Sequence, residues 1–249
     1  MKKILTLTFL VLSSVISFAQ TYDFLGSDLK RLTTNRNIQL NPQTLEAYLT
    51  NGEKVNPAEV MNYIMKIEFQ PVIYVDSNDN PKAIVFEEAS EEAKAAKIAM
   101  FEKAPGSDFM INQTAPDFTL NSLENKPINL KDYKGQVVLL NFWFVGCKPC
   151  IMEMPELNEI VADYASRGIT FLAIALDDPE RINKFLETHD FDYTLLPNGR
   201  QVAMNYGVSS YPTHLLLDRN GKVVFSQKGY FPGLKYALRK RLDDALAKN

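Results

Sequence analysis

The sequence predicts an α/β protein whose central mixed sheet is flanked by helices, with a small α+β domain ahead of it. Three observations carry that prediction. Two apolar runs, residues 137–145 (VVLLNFWFV) and 169–175 (ITFLAIA), each give way to a helical pattern, as strands buried on both faces of a sheet do. Apolar residues 214–217 and the stretch 222–227 flank Arg219-Asn220-Gly221, which reads as a tight hairpin turn. The 249 residues fit two domains better than one, and the breaker-rich Ala104-Pro105-Gly106-Ser107 marks a joint between them.

Residues 1–19 read as a signal peptide. Lys2 and Lys3 supply a positive start, an apolar stretch follows, and Ser17-Phe18-Ala19 offers the small residues a signal peptidase prefers, with cleavage after Ala19. The apolar stretch is short for a membrane span of roughly 20 residues, so no anchor is expected after cleavage. Export to the periplasm or beyond is the expectation. Residues 20–104 form the predicted N-terminal α+β domain. Leu45, Tyr48 and Leu49 fall at helical spacing, and Asn56-Pro57 reads as the cap and first position of a helix carrying Val60, Met61, Ile64 and Met65. Residues 71–75 and 83–86 make a strand–turn–strand pattern. A charged helix over 87–103 follows, with Ala89, Ala93, Ala96 and Met100 as a narrow apolar stripe. This domain holds no Cys, His or glycine-rich loop, so its role stays open between positioning or dimerising the other domain and selecting substrates.

Residues 105–111 are the expected linker, and 112–249 the chemistry domain. Residues 117–120 and 127–130 suggest a second hairpin before the central strand. Helices are predicted for the stretch after residue 146, from Asp178-Pro179 to about His189, over 200–206, and from Pro232 onward with Leu234, Leu238, Leu242 and Leu246 inward. The order β-α-β-α then β-β-α implies a sheet with parallel and antiparallel parts.

Composition excludes some functions. A net charge of −3 without a basic stretch gives nucleic acid no footprint. The only two cysteines, Cys147 and Cys150, stand together where strand becomes helix, as Cys-Lys-Pro-Cys. A bridge across so small a loop constrains little of the unfolded chain, so a mainly structural role is disfavoured. Free amides and the dipole at a helix start stabilise a thiolate, which makes that position reactive.

A strand ending in Trp143, Cys-x-x-Cys at a helix start, and a later Tyr211-Pro212-Thr213 before a strand together resemble the thioredoxin superfamily. Within it, Ala115-Pro116-Asp117-Phe118-Thr119-Leu120 and Pro212-Thr213-His214-Leu215 to Gly221-Lys222 are similar to the exported TlpA/ResA-like thiol–disulfide oxidoreductases. The likeness implies a thioredoxin-like fold over residues 112–249 and no cofactor beyond a redox-active disulfide between Cys147 and Cys150. It implies Cys147 as the nucleophile at an exposed helix end, with Lys148 adding positive charge and Pro149 tolerated in the first turn. Cys150, one turn inward, is the expected resolving thiol. Ordinary thioredoxins carry a buried aspartate six residues before the first cysteine, where this chain has Asn141. Glu153, three residues after Cys150, is expected to take over as acid and base. Pro212 resembles the cis-proline that faces the cysteines, leaving the Tyr211 backbone free for an extended substrate. Pro155 resembles the proline that kinks the active-site helix. Trp143, Gly146, Lys148, Pro149, Tyr211 and Thr213 are the expected substrate-binding residues. Gly146 stands where thioredoxins carry a tryptophan, leaving a barer rim.

The resemblance implies disulfide-containing client proteins and a membrane thiol relay as electron donor, with reduction as the direction. Two alternatives remain. A thiol peroxidase shares the fold, but Phe144 holds the threonine position of its Pro-x-x-x-Thr-x-x-Cys loop. A metal-binding module would have to recruit His189 or His214, the only histidines, beside the cysteines. No resident metal is expected.

Overall fold

The protein is described by a computed structural model over residues 6–7, 22–32, 38–39 and 45–248. It divides into two compact units, Met1–Met100 and Phe101–Asn249. The expected leader lies outside the described residues except for β1 (Thr6–Leu7). With β2 at Lys30–Arg31 and β3 at Ile38–Gln39, β1 pairs antiparallel to β3.

The first unit is built on β4 (Glu46–Leu49), α1 (Val60–Met65), β5 (Phe69–Val75), β6 (Pro81–Glu88) and α2 (Glu91–Glu102). Its sheet runs β2-β5-β6-β4, with β5–β6 the predicted hairpin and β4 parallel to β6. Residues 46–49 are therefore strand and not helix. Leu45, Ala47 and Leu49 pack on one face of the sheet with Val60 and Ile64 of α1, while Tyr48 joins Tyr22, Val72 and Tyr74 on the other. Counting Ala47 turns an apparent helical spacing into the two-residue period of a strand. Asn56-Pro57 opens a turn, its Asn56 Oδ1 accepting from the Ala58 N–H at 2.9 Å, and the helix proper begins at Val60. The stripe expected on α2 also fails. Ala96 and Met100 are exposed, and Lys97 turns inward to donate to the carbonyls of Ile64, Lys66 and Phe69 at 2.9, 2.8 and 2.7 Å. Its ammonium satisfies carbonyls at and beyond the end of α1 that would otherwise lack donors.

The second unit comprises β7 (Thr119–Asn121), β8 (Pro127–Asn129), β9 (Val137–Trp143), α3 (Lys148–Tyr164), β10 (Ile169–Ala175), α4 (Pro179–Leu186), β11 (Thr194–Leu196), α5 (Arg200–Asn205), β12 (Thr213–Leu217), β13 (Val223–Lys228) and α6 (Leu234–Ala247). Its sheet runs β11-β10-β9-β12-β13, with β9, β10 and β11 parallel and β12 antiparallel to both neighbours. This is a thioredoxin-like fold. Every residue of the central β9 is buried. Val137, Leu139 and Trp143 face α3, α4 and α6, whereas Val138, Leu140 and Phe142 face α5 and the residues around the β7–β8 hairpin. The alternation along β9 decides what reaches the site, because Asn141 shares the face of Leu139 and Trp143. Asp178 starts α4 by accepting the Arg181 N–H, as its Asp-Pro signature suggests. The edge strand β11 was not expected.

The breaker-rich stretch is held against β13. The Ser107 amide donates to Ser226 O at 2.7 Å, and the two hydroxyls lie 2.8 Å apart. Gly106 has φ +74, and a Cβ there would meet Ser226 O at 2.5 Å, so only glycine lets the chain pass so close. Backbone bonds continue from Asn112 to Val223 and from Ala115 to Gly221. Among the described residues no helix is long and apolar enough to cross a membrane.

Candidate functional site: a disulfide at a helix start above a buried polar cluster

The chain leaves β9 at Trp143 and turns at Gly146, whose φ of +87 suits glycine. Cys147 then caps α3 with its sulfur, which accepts the Cys150 N–H at 3.3 Å. Pro149 lies in the first turn, where its missing N–H breaks no helical bond. Cys147 and Cys150 form a disulfide with Cα atoms 5.3 Å apart. The helix dipole and the Cys150 N–H thus point at the sulfur that a reduced form would carry as thiolate.

Cys147 is not exposed as the sequence suggested, being 3% accessible. It belongs to the same buried apolar cluster as Trp143, Cys150 and Met154, against which Phe144, Val145 and Tyr211 pack. Gly146, Lys148 and Pro149 are exposed and form the rim. The Tyr211–Pro212 peptide is cis. Thr213 pairs with Phe142, so Pro212 stands one step further, at the level of Trp143 where β9 ends. Tyr211 is half-buried and meets Phe144 edge to face at 5.4 Å, and burial raises its phenol above the ordinary value.

Two expected substrate-binding residues are corrected. Trp143 is fully buried beneath the disulfide, against Phe185 and Phe191 with ring centroids at 5.5 Å, so it supports the site from below. Thr213 is also fully buried, between β9 and β13, and its hydroxyl donates to Ser210 O at 2.7 Å. Both follow from position. The last residue of a central strand and the first of its neighbour face the core on one side and the covering elements on the other.

Below the disulfide the interior holds a cluster of polar side chains. Asn141, Glu153 and His214, each at most 1% accessible, converge from β9, α3 and β12. Asn141 Nδ2 donates to Glu153 Oε1 at 3.1 Å and lies 3.3 Å from His214 Nδ1, while His214 Nε2 is 3.1 Å from the Glu153 carboxylate. Asn141 and His214 are direct partners in the β9–β12 register, which is why their side chains meet. Glu153 comes from one helical turn past Cys150 on the buried side of α3. Tyr193 and Tyr230 look onto the same carboxylate. Burial, then the Glu153 charge, lifts the Tyr193 phenol well above its ordinary value, and burial with Glu156 and Glu153 pushes Tyr230 up to about 12.

Sequence reasoning named Glu153 but passed over two other residues. His214 enters the sequence analysis only as a ligand that a metal-binding module would recruit; its signal is a lone imidazole opening the run 214–217. Asp177 is buried at the end of β10, and its Oδ2 accepts the Val145 N–H at 2.7 Å, tying down the loop that carries the cysteines. His189 is engaged elsewhere, stacked on Phe185 at 4.1 Å.

A disulfide at a helix start, with a cis-proline at the level where the central strand of a thioredoxin-like sheet ends, defines the class of thiol–disulfide exchange proteins. Comparison with known proteins agrees and narrows it. The AhpC/TSA family model matches residues 111–226. The thiol–disulfide oxidoreductase ResA of Bacillus thuringiensis subsp. konkukian is 38% identical over 121 residues, covering 48% of this chain and 70% of that protein. ResA of Geobacillus thermodenitrificans is 40% identical over 115 residues, 45% of this chain and 66% of that protein. A solved structure assigned as the thiol:disulfide interchange protein DsbE of Chlorobium tepidum is 34% identical, with a TM-score of 0.52 over 55% of this chain and 98% of that one. The chain belongs to the TlpA/ResA-like thiol–disulfide oxidoreductases of the thioredoxin superfamily, and it is an oxidoreductase.

Proposed function

We propose that this protein is exported and reduces disulfides of periplasmic client proteins by dithiol–disulfide exchange through Cys147 and Cys150. The observation that carries the reading is the Cys147–Cys150 disulfide capping α3, with an exposed rim of Gly146, Lys148 and Pro149 around it. In the reduced protein Cys147, favoured as thiolate by the helix start, attacks one sulfur of the client disulfide. A Cys147–client bond forms, the client disulfide breaks, and the released client sulfur takes up a proton. Cys150 then gives its proton to Glu153 and attacks the Cys147 sulfur. The Cys147–Cys150 bond forms, the second client sulfur leaves with the electron pair and is protonated, and the client has gained two electrons.

Cis-Pro212 carries no N–H, and with the Tyr211 backbone it offers an edge along which an extended client can lie. The disulfide itself is the redox group, so no further cofactor enters the cycle. Regeneration calls for a membrane thiol relay that returns two electrons. The leader-like residues 1–19 support export. Direction is tested by equilibrating the full chain with glutathione. A potential near that of thioredoxin, about −270 mV, is expected, and one near about −120 mV would make it an oxidant. Cys147→Ser should abolish turnover, and Cys150→Ser should accumulate mixed disulfides through Cys147. Trapping through Cys150 instead would reverse the two roles.

A further inference from the structure

Three polar side chains buried together inside an apolar sheet–helix interface call for an account, since each alone would be costly there. Asn141 Nδ2 can only donate; it lies 3.1 Å from Glu153 Oε1 and over the His214 ring, 3.3 and 3.5 Å from its two nitrogens. A carboxylate only accepts, so the His214 Nε2, 3.1 Å from the Glu153 carboxylate, supplies the proton between them. The carboxylate then receives two N–H donors, one from each of two strands locked in register.

We infer that His214 is a positioning residue of the exchange reaction: as the neutral Nε2–H tautomer it donates to Glu153 and, with Asn141, holds that carboxylate in its proton-accepting form one helical turn from Cys150. This deepens the proposed function and rests on its assignment of Glu153 as the group that takes the Cys150 proton. The step it serves is the resolving one. The Cys150 proton moves to Glu153, the Cys150 sulfur bonds to Cys147, the Cys147–client bond breaks, and the departing client thiolate is protonated. His214 keeps its own proton throughout.

The groups facing Glu153 are few. Asn141 comes from β9, His214 from β12, Tyr193 from the segment before β11, Tyr230 from beyond β13, and Cys150 and Glu156 from α3 itself. Both phenols are raised by burial and by the nearby carboxylates, so neither titrates in the neutral range. Glu156 is the remaining carboxylate, and the exposed Glu159 of the same helix, paired with Lys235 at 2.9 Å, serves as the control.

The resolving step is read as the second thionitrobenzoate release when reduced full-length protein meets an aromatic disulfide, followed from about pH 5 to 9. In wild type the acid limb of this rate reports the Glu153 proton acceptor. His214→Leu is expected to move that limb upward by about one pH unit, a tenfold change in proton affinity, because the carboxylate loses a donor. His214→Gln, which restores an N–H donor, should return it to within about 0.3 unit, and Glu159→Gln should leave it in place. A limb unmoved by His214→Leu overturns the inference. A merely structural role would lower stability without moving the limb. If His214→Leu does not fold, wild type labelled with 15N-histidine decides. The chain has only two imidazoles, distinguished by His189→Gln. A neutral Nε2–H ring at pH 7 supports the inference, and an Nδ1–H or doubly protonated ring overturns it. Glu153→Gln separates the two readings. If it leaves the limb in place, the Glu153 role itself fails; if it removes the limb while His214→Leu does not move it, only the part given to His214 fails.

Discussion

Asp177 offers a quantitative test of what holds the cysteine loop. Its carboxylate does two things: Oδ2 accepts the Val145 N–H at 2.7 Å, and Oδ1 pairs with Arg181 at 3.0 Å. The two are unequal. The Arg181 side chain is 62% accessible, so water and salt screen its pairing and it contributes about 0–1 kcal/mol. The bond to Val145 joins a buried charge to a part-buried backbone donor, for which about 1.5–3 kcal/mol is typical. Asp177→Ala should therefore cost about 2 kcal/mol, which for a unit of this size lowers the melting temperature by roughly 4–8 °C. Arg181→Ala should cost no more than about 0.5 kcal/mol. Asp177→Asn, which keeps an acceptor, should recover more than half the loss. Thermal and urea unfolding of the oxidised full chain measure all three. An Arg181→Ala loss equal to that of Asp177→Ala would refute the reasoning, because the ion pair and not the loop bond would then carry the energy.

Two further predictions concern the second unit. Gly233 precedes α6, and a Cβ there would meet the Phe101 ring at 2.3 Å, so Gly233→Ala should cost about 1–3 kcal/mol by overpacking. Adding Phe101→Leu should make the double variant less costly than the sum, and simple additivity in urea unfolding would remove the steric explanation. Tyr193 and Tyr206 have phenols raised chiefly by burial, and Tyr206 donates to Pro116 O at 2.6 Å. Unfolding returns them to about 10, so their contribution is fully present below about pH 10 and is lost as pH rises toward the folded values. Stability should fall above about pH 10, and less steeply in Tyr206→Phe; equal slopes would rule out that phenol as a source.

The parts of the fold that were legible are those in which one segment carries its own evidence. The apolar run that became β9, the Asp-Pro start of α4 and the Asn-Gly turn between β12 and β13 each need no distant partner to be read. β11 was missed because three residues paired along one neighbour leave almost no periodic signal. Residues 45–49 were misread because five positions cannot separate a helical spacing from a strand whose odd and even members face different clusters. The site divides in the same way. The cysteines, the cis-proline and Glu153 stand in recognisable local patterns, but the His214 partners lie 73 and 61 residues away, on a strand and a helix whose pairing no local window contains.

That separation also explains why the buried cluster is tolerable at all. Asn141 is the only polar residue of β9, and β9 is buried along its whole length, so by itself it weakens the strand that the sheet depends on. His214 repeats the violation directly across the register, and Glu153 repeats it on the helix laid over both. Together they supply the Glu153 carboxylate with donors, although the Asn141 Oδ1 has no hydrogen-bond partner, and breaking the set by removing one member should cost more than replacing all three with apolar side chains of similar volume. Such a set is weak evidence for stability. A core seeking stability alone would carry valine and leucine at these positions, as the rest of β9 does. Its place, one helical turn past Cys150, whose thiol must give up a proton in the exchange proposed here, is the physical reason for reading it as part of the chemistry and not of the packing.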